Sequence, residues 1–422
     1  MIDGLINVFL LLLILTVLVL LHELGHFVVA RRAGVIVHEF GIGFPPRARV
    51  LFKRGDTTYT LNWLPIGGFV RMEGEEVSPA DGTEPEADAE LGEETEHLEE
   101  VESLDPRAFV NQKLGTRLRI LGAGIVVNFV IAWILFTFIA LFAQPIWQVQ
   151  LANVSADSPA ERVGLIGGQL IEHRLFTVTD ENDEPTGEVI AYAVYDDSGD
   201  KIVAIDGQAF PFFDDMANAD AADRRIAPIQ YLADRPSQTV MLTVEHADGA
   251  IEQVEVTLRS AEEIEAGLGA LGFQPGDYTF GEQKNGIGES VVIGFERTVE
   301  TSTLILRTVV GIFLSVLDGP GDALKDVAGP LGMVDFVGQV RTSLPPVFLV
   351  WFAAMLSANL AVFNLLPIPP LDGSRMVMGT AQAASGNRIR PETERLIYFT
   401  GWVALMVFLV LVTFSDIQRW LS

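Results

Sequence analysis

Read for hydrophobic and polar positions, the chain falls into long apolar blocks separated by polar, acidic stretches. Four blocks reach the roughly 20 apolar residues that cross a bilayer. They run from about Leu5 to Ala30, Leu118 to Phe142, Val347 to Leu366 and Leu396 to Phe414. A fifth stretch, TSTLILRTVVGIFLSVL (301–317), is shorter and broken by Arg307, which predicts an amphipathic helix against the membrane or the bundle. Residues 35–72 alternate weakly and predict a β-hairpin or small sheet, with Gly41, Gly43, Gly67 and Gly68 at its bends. Residues 148–260 predict a soluble, strand-rich domain, with strands at KIVAIDG (201–207), TVMLTVEH (239–246) and IEQVEVTLR (251–259). Segment 178–200 is polar and acidic and reads as an insertion. No solenoid-type repeat is visible.

Charge sharpens this division. The net charge of -28 argues against a nucleic-acid partner. The acidic run EGEEVSPADGTEPEADAELGEETEHLEE, near 73–105, reads as a solvated, disordered loop. Of 28 basic residues only five are lysine (Lys53, Lys113, Lys201, Lys284 and Lys325). Acid excess with Arg over Lys resembles a halophile's protein and predicts a halophilic archaeal source. Arg31, Arg32, Arg47, Arg49, Lys53 and Arg54 follow the first span; Arg375, Arg388, Arg390 and Arg395 lie between the third and fourth. The positive-inside rule puts both loops in the cytoplasm, 143–300 outside and both termini outside. The MIDG start has no basic residue and no small-residue cleavage pattern follows, so the first block reads as a retained span rather than a signal peptide. The sequence NVS (153–155) matches a glycosylation acceptor pattern on that outer side.

Candidate chemistry sits inside the first span, at VLLHELGHFV (19–28). His22 and His26 are four apart, so on a helix they share a face and can hold one metal ion. Glu23 lies at the edge of that face, within reach of a water on the metal, as in H-E-x-x-H zinc sites. The ordinary alternative, a pair of histidines on a soluble helix, is weakened because an apolar span gives three such groups no solvent. Cysteine is absent, so ligands must be His, Asp or Glu. A catalytic zinc normally keeps three protein ligands, and the best third candidate is Asp372 in SANLAVFNLLPIPPLDGS (357–374). Pro367, Pro369 and Pro370 break that helix and Gly373 permits a tight turn back toward the first span; the alternative is a plain helix-ending turn with a capping Asp. Asn359 and Asn364 are amides in an apolar span. They either bond a neighbouring helix or hold a substrate backbone or oxyanion, with Asn364 favoured for the second role.

HELGH in the first span with NLLPIPPLDG in a late one resembles the site-2 protease family of intramembrane zinc metalloproteases, and within it the RseP-type branch that carries PDZ domains. GIGFPPRARVLF and TLNWLPIGGFVRMEGE resemble that family's membrane-associated β-hairpin, AFVNQKLGTRLRILGAGIVVNFVIAW its entry to the second span, and AGPLGMVDFVGQ (328–339) a segment before the third. VSADSPAERVGL (154–165) and KIVAIDGQ (201–208) resemble parts of one PDZ domain, separated by roughly 30 residues where a few are usual. The resemblance implies a membrane α-helical fold of four transmembrane helices, with the β-hairpin and an extracytoplasmic β-rich PDZ-like domain. The expected divisions are 1–30 (first helix), 31–116 (cytoplasmic-side hairpin and acidic loop), 117–143 (second helix), 144–265 (PDZ-like, insertion near 169–200), 266–343 (linker with the amphipathic helix) and 344–422 (third and fourth helices). It implies Zn2+ held by His22, His26 and Asp372, Glu23 as general base, and substrate contacts at Asn364 and Asn359. It implies transmembrane protein substrates in the cell membrane, sometimes after a first cut by another protease. The active site would lie near the cytoplasmic side, and the outer domain would capture peptides or filter substrates by size.

Two other classes compete. A catalytically silent PDZ-bearing scaffold or receptor would be expected to lose the general base, yet Glu23 is present. A metal transporter would be expected to show repeated halves and several intramembrane carboxylates, and neither is seen.

Overall fold

The computed structural model describes residues 2–75, 105–179, 185–196, 198–209, 230–318, 329–343, 345–386 and 391–421. The acidic run expected as a solvated loop lies almost wholly outside them. The chain divides into two compact units, one formed by Met1–Leu141 with Gly286–Ser422 and the other by Phe142–Asn285.

The first unit is helical. Its helices are α1 (Ile2–Arg32), α2 (Leu114–Phe142), α3 (Ile287–Asp318), α4 (Pro330–Ser343), α5 (Val347–Leu365), α6 (Asp372–Ser385) and α7 (Pro391–Leu421). Four of them, α1, α2, α5 and α7, are long and apolar enough to cross a membrane, and they coincide with the four apolar blocks of the sequence. Helix α2 shows why such segments carry no amphipathic pattern. Ile120, Gly124, Asn128 and Ala132 recur every four residues on its buried face. Val126, Val130, Ile134 and Phe138 recur at the same spacing on its exposed face. Both faces are apolar because one meets protein and the other suits lipid, where the helix satisfies its own backbone.

The 301–317 stretch forms the second half of α3, a 32-residue helix that starts at Ile287, well before that stretch. The Trp133 indole N–H of α2 donates to the Val291 carbonyl at 3.0 Å, and Gly294 sits against the Thr137 backbone. Between the third and fourth blocks, where the sequence predicts only a proline-broken turn and loop, the chain forms α6.

Strands β1 (Val37–Arg54) and β2 (Thr57–Met72) form the expected hairpin, closed between Arg54 and Thr57. Gly43 and Gly67 have positive φ and serve the bends as predicted. A Cβ at Gly43 would also lie 2.3 Å from the Leu64 carbonyl oxygen, and Gly41 and Gly68, without positive φ, serve close approach alone. A Cβ at Gly41 would lie 2.2 Å from the Phe69 ring and one at Gly68 2.8 Å from the Gly41 carbonyl oxygen, so these two permit close approach of the strands. The Gly67 N–H donates to Thr16 Oγ1 at 3.4 Å, and Gly68 lies against Leu20, which lays β2 along α1 one turn before His22.

The second unit is an antiparallel sheet of β3 (Gln144–Val154), β6 (Lys201–Ile205), β7 (Gln208–Ala209), β8 (Thr239–Glu245), β9 (Ile251–Thr257) and β10 (Phe273–Gln283), in the order β10-β3-β6-β8-β9 with β7 beside β6. Alternating inward residues such as Val240, Leu242 and Val244 build its core with Val149, Leu151, Ile202 and Leu271. The segment read as an insertion is a separate antiparallel ribbon of β4 (Leu170–Thr179) and β5 (Pro185–Tyr195).

Candidate metal centre

Helix α1 carries His22 and His26 on one face, and both imidazoles are buried. Their Nε2 atoms lie 3.1 Å apart. Asp372, 350 residues further along, brings Oδ2 to 3.1 Å from His22 Nε2 and 3.2 Å from His26 Nε2. Three donor atoms therefore form a nearly equilateral triangle. A tetrahedral zinc with bonds of about 2.0–2.2 Å sets neighbouring ligand atoms roughly 3.3–3.5 Å apart, so the triangle is within a few tenths of an ångström of what the ion needs. Two imidazoles and a carboxylate are also a donor set that zinc accepts. The residues fit the group.

Each member is placed by close backbone approach. Gly25 abuts α2: a Cβ there would lie 2.8 Å from the Ala123 carbonyl oxygen. Gly124 of α2 gives the imidazoles their room, since its Cβ would lie 2.5 Å from His26 Nε2 and 2.8 Å from His22 Nδ1. After α5 ends at Leu365, the chain doubles back and α6 begins at Asp372 itself. Gly373 makes this possible, because a Cβ there would lie 2.4 Å from both the Leu365 and Leu366 carbonyl oxygens. The Asp372 carboxylate thus stands in the first turn of a helix, where the macrodipole favours negative charge. Arg375, one turn on, pairs with Glu75 and fastens α6 to the segment that follows β2.

The far sides of the rings are held as well. His26 Nδ1 donates to the Ile120 carbonyl at 2.8 Å, which leaves Nε2 as a lone pair facing the triangle. His22 Nδ1 lies 3.1 Å from the Asn128 amide nitrogen. Asn128 is fully buried and escaped the reading of the sequence, although the reasoning applied to Asn359 and Asn364 covers it equally: it is the lone amide of the second apolar block. Glu23 is half-buried on the same turn as the histidines. The other two amides do not join the cluster. Asn364 donates to the Leu360 carbonyl of its own helix at 3.0 Å, and Asn359 is half-buried on α5.

Comparison with known proteins finds zinc metalloproteases. The sequence profile of Peptidase family M50 matches residues 10–408. The chain is 27% identical over 462 residues to "Zinc metalloprotease RasP" of Oceanobacillus iheyensis, covering 96% of each. It is 28% identical over 465 residues to "Probable protease eep" of Enterococcus faecalis, again covering 96% of each. It is 27% identical over 463 residues to "Regulator of sigma-W protease RasP" of Bacillus subtilis, covering 95% of this chain and 96% of the relative.

Proposed function

The chain belongs to peptidase family M50, and from that premise we propose that it is an intramembrane zinc endopeptidase that cuts transmembrane segments of other membrane proteins. The observation that carries the reading is the convergence of His22, His26 and Asp372 from segments 350 residues apart. These three would hold the zinc. When bound, zinc acidifies a water and polarises the scissile carbonyl. The remaining work falls to side chains of the chain. Glu23 takes the proton released as water attacks and returns it to the leaving amine nitrogen, so the carboxylate ends the cycle as it began. Lipid and the packed faces of α1, α2 and α5 exclude other water, so hydrolysis is confined to the cluster.

The finer features follow the same reading. Asn364 and Asn359 on α5 contact the substrate backbone; Asn364 uses one amide hydrogen on Leu360 and keeps the rest of its amide for that purpose. The hairpin is membrane-associated, a role supported by exposed Phe52, Leu61, Trp63 and Leu64. The active site faces the cytoplasmic side and the 144–265 domain lies outside, as the distribution of arginines near the spans supports; its PDZ-like character rests on the resemblance of VSADSPAERVGL and KIVAIDGQ. Another protease can act first on the same substrates. For comparison, the Bacillus subtilis relative is named "Regulator of sigma-W protease RasP".

The test is metal analysis beside a cleavage assay on a transmembrane substrate in detergent. Wild type should hold about one zinc per chain and cut; Glu23→Gln should hold zinc and not cut; Asp372→Ala should lose the metal. Cleavage by Glu23→Gln at the wild-type rate removes it as the base, and full zinc in Asp372→Ala removes that carboxylate from the site.

A further inference from the structure

Along α2, Ile120, Gly124 and Asn128 follow one another every four residues, and they face His26 and His22 of α1 in reverse order. The Ile120 carbonyl takes the Nδ1 hydrogen of His26 at 2.8 Å. Gly124 supplies the space between the rings. Asn128 meets Nδ1 of His22 at 3.1 Å. The two histidines are thus served by one stripe of one helix, His26 through a backbone group and His22 through a side chain.

For His22 the chemistry decides which amide atom is useful. Its Nε2 faces Asp372 and His26, and a nitrogen that holds a metal must present a lone pair. A neutral imidazole then carries its hydrogen on Nδ1, and that hydrogen needs an acceptor. The amide nitrogen of Asn128 cannot accept. Its oxygen can, and that oxygen is buried without a hydrogen-bond partner among the described residues. A half-turn of the amide exchanges the two atoms with almost no change of shape and leaves no bonded oxygen behind. The backbone that carries the amide is fixed independently, because Ser357 of α5, fully buried, donates its hydroxyl hydrogen to the Asn128 carbonyl at 2.8 Å.

We propose that Asn128 is a positioning residue for the metal centre: its side-chain oxygen accepts the Nδ1 hydrogen of His22 and holds the ring with Nε2 turned to Asp372 and His26. This rests on the zinc reading above and adds a group outside the three ligands and the base.

Zinc content and the rate of zinc release to a chromophoric chelator are measured on full-length protein in detergent micelles. Asn128→Leu, close in volume and without an acceptor, should release zinc about 10–100-fold faster, while Asn128→Asp, which keeps an acceptor, should stay within about threefold of wild type. Ser357→Ala should lower thermal stability and leave release unchanged, which separates support of the helix from support of the ring. Release from Asn128→Leu at the wild-type rate overturns the proposal, as do equal losses in the Leu and Asp variants. Nitrogen-15 NMR of histidine-labelled, zinc-loaded wild type gives an answer that needs no variant to fold: Nδ1 of His22 should carry hydrogen, and a bare Nδ1 overturns the assignment. Wild type that holds no zinc would overturn both this and the endopeptidase reading; zinc in wild type with unchanged release in Asn128→Leu would overturn this alone.

Discussion

Replacing Gly124 by alanine adds one methyl group where α2 meets both imidazoles of the candidate metal centre. The new carbon would stand 2.5 Å from His26 Nε2, 2.6 Å from His22 Cε1 and 2.8 Å from His22 Nδ1. Ordinary contact begins near 3.4 Å, so the rings must retreat by about 0.9 Å or α2 must back away from α1. The second route gives up the close packing of α1 on α2 at Gly25 and Ala123 and the bond from His26 to the Ile120 carbonyl. The first moves both ligands at once, whereas metal bonds tolerate about 0.2 Å. Losing second-sphere support alone costs about 10–100-fold in metal affinity, so shifting the ligands themselves should cost roughly 100-fold or more. Overpacking should add about 1–3 kcal/mol of destabilisation. Gly122, two residues away on the same helix, provides the control: a Cβ there meets no described atom within 4 Å. Gly122→Ala should keep its zinc and gain up to about 1 kcal/mol of helix stability. Elemental analysis and chelator competition on the purified variants decide the matter. A Gly124→Ala protein that folds and retains zinc as tightly as wild type would refute the account of how the rings are seated.

Two further outcomes are expected away from the metal. Asp416 of α7, nearly buried, accepts the backbone N–H groups of Gly329, Leu331 and Gly332 at 3.1 Å each at the start of α4. Asp416→Ala strands these donors and should cost about 2–4 kcal/mol in detergent unfolding, with Asp416→Asn recovering part of it; an unchanged midpoint in the Ala variant would show that the contact contributes nothing. In the sheet unit, the hydrogen bond from His246 Nδ1 to the buried Asp200 carboxylate, 2.9 Å, raises the His246 pKa above its ordinary value. A raised folded-state value means the pair's stabilisation is complete below the unfolded pKa near 6.5 and disappears as pH rises through the folded one. Full-length wild type should therefore exceed His246→Gln in stability at pH 6 by more than at pH 9, and a pH-independent difference would be evidence against the pairing.

What the sequence makes legible is whatever depends on period and length. Twenty apolar residues have one outlet in a bilayer, so the four spans and the i, i+4 histidine pair can be read directly. Alternation with an inner and an outer face marks β8 in the same way. Helix α6 is hidden because its apolar content is low and prolines precede it; those prolines end α5 but also free the chain to start a new helix at Asp372. The same prolines point to Asp372 as a candidate, and the structure places its carboxylate beside the two imidazoles. Asn128 was visible in principle, as a polar group in an apolar run. What one sequence cannot rank is which such amide meets the histidines, since that depends on the packing register of α2 against α1. The glycines of the hairpin divide likewise: Gly43 and Gly67 take positive φ, while Gly41, Gly43 and Gly68 admit a close neighbour, and which do so is set by the opposite strand.

The small residues answer a problem peculiar to the bilayer. In water, burying apolar surface would draw α1, α2 and the α5–α6 turn together. Lipid tails are as apolar as the helices, so that force is absent and association depends on close packing and a few interhelical hydrogen bonds. The contacts around the triangle are of these two kinds. Gly25, Gly124 and Gly373 bring backbone against backbone or ring, and Ser357, Asn128 and the Ile120 carbonyl supply bonds between helices. A larger residue at any of the three glycines pushes one ligand-bearing segment out of reach of the others. The His22–His26–Asp372 triangle and the helix packing are therefore one structure, and an ion held there would join α1 to α6 and in turn stabilise an assembly that lipid does not favour.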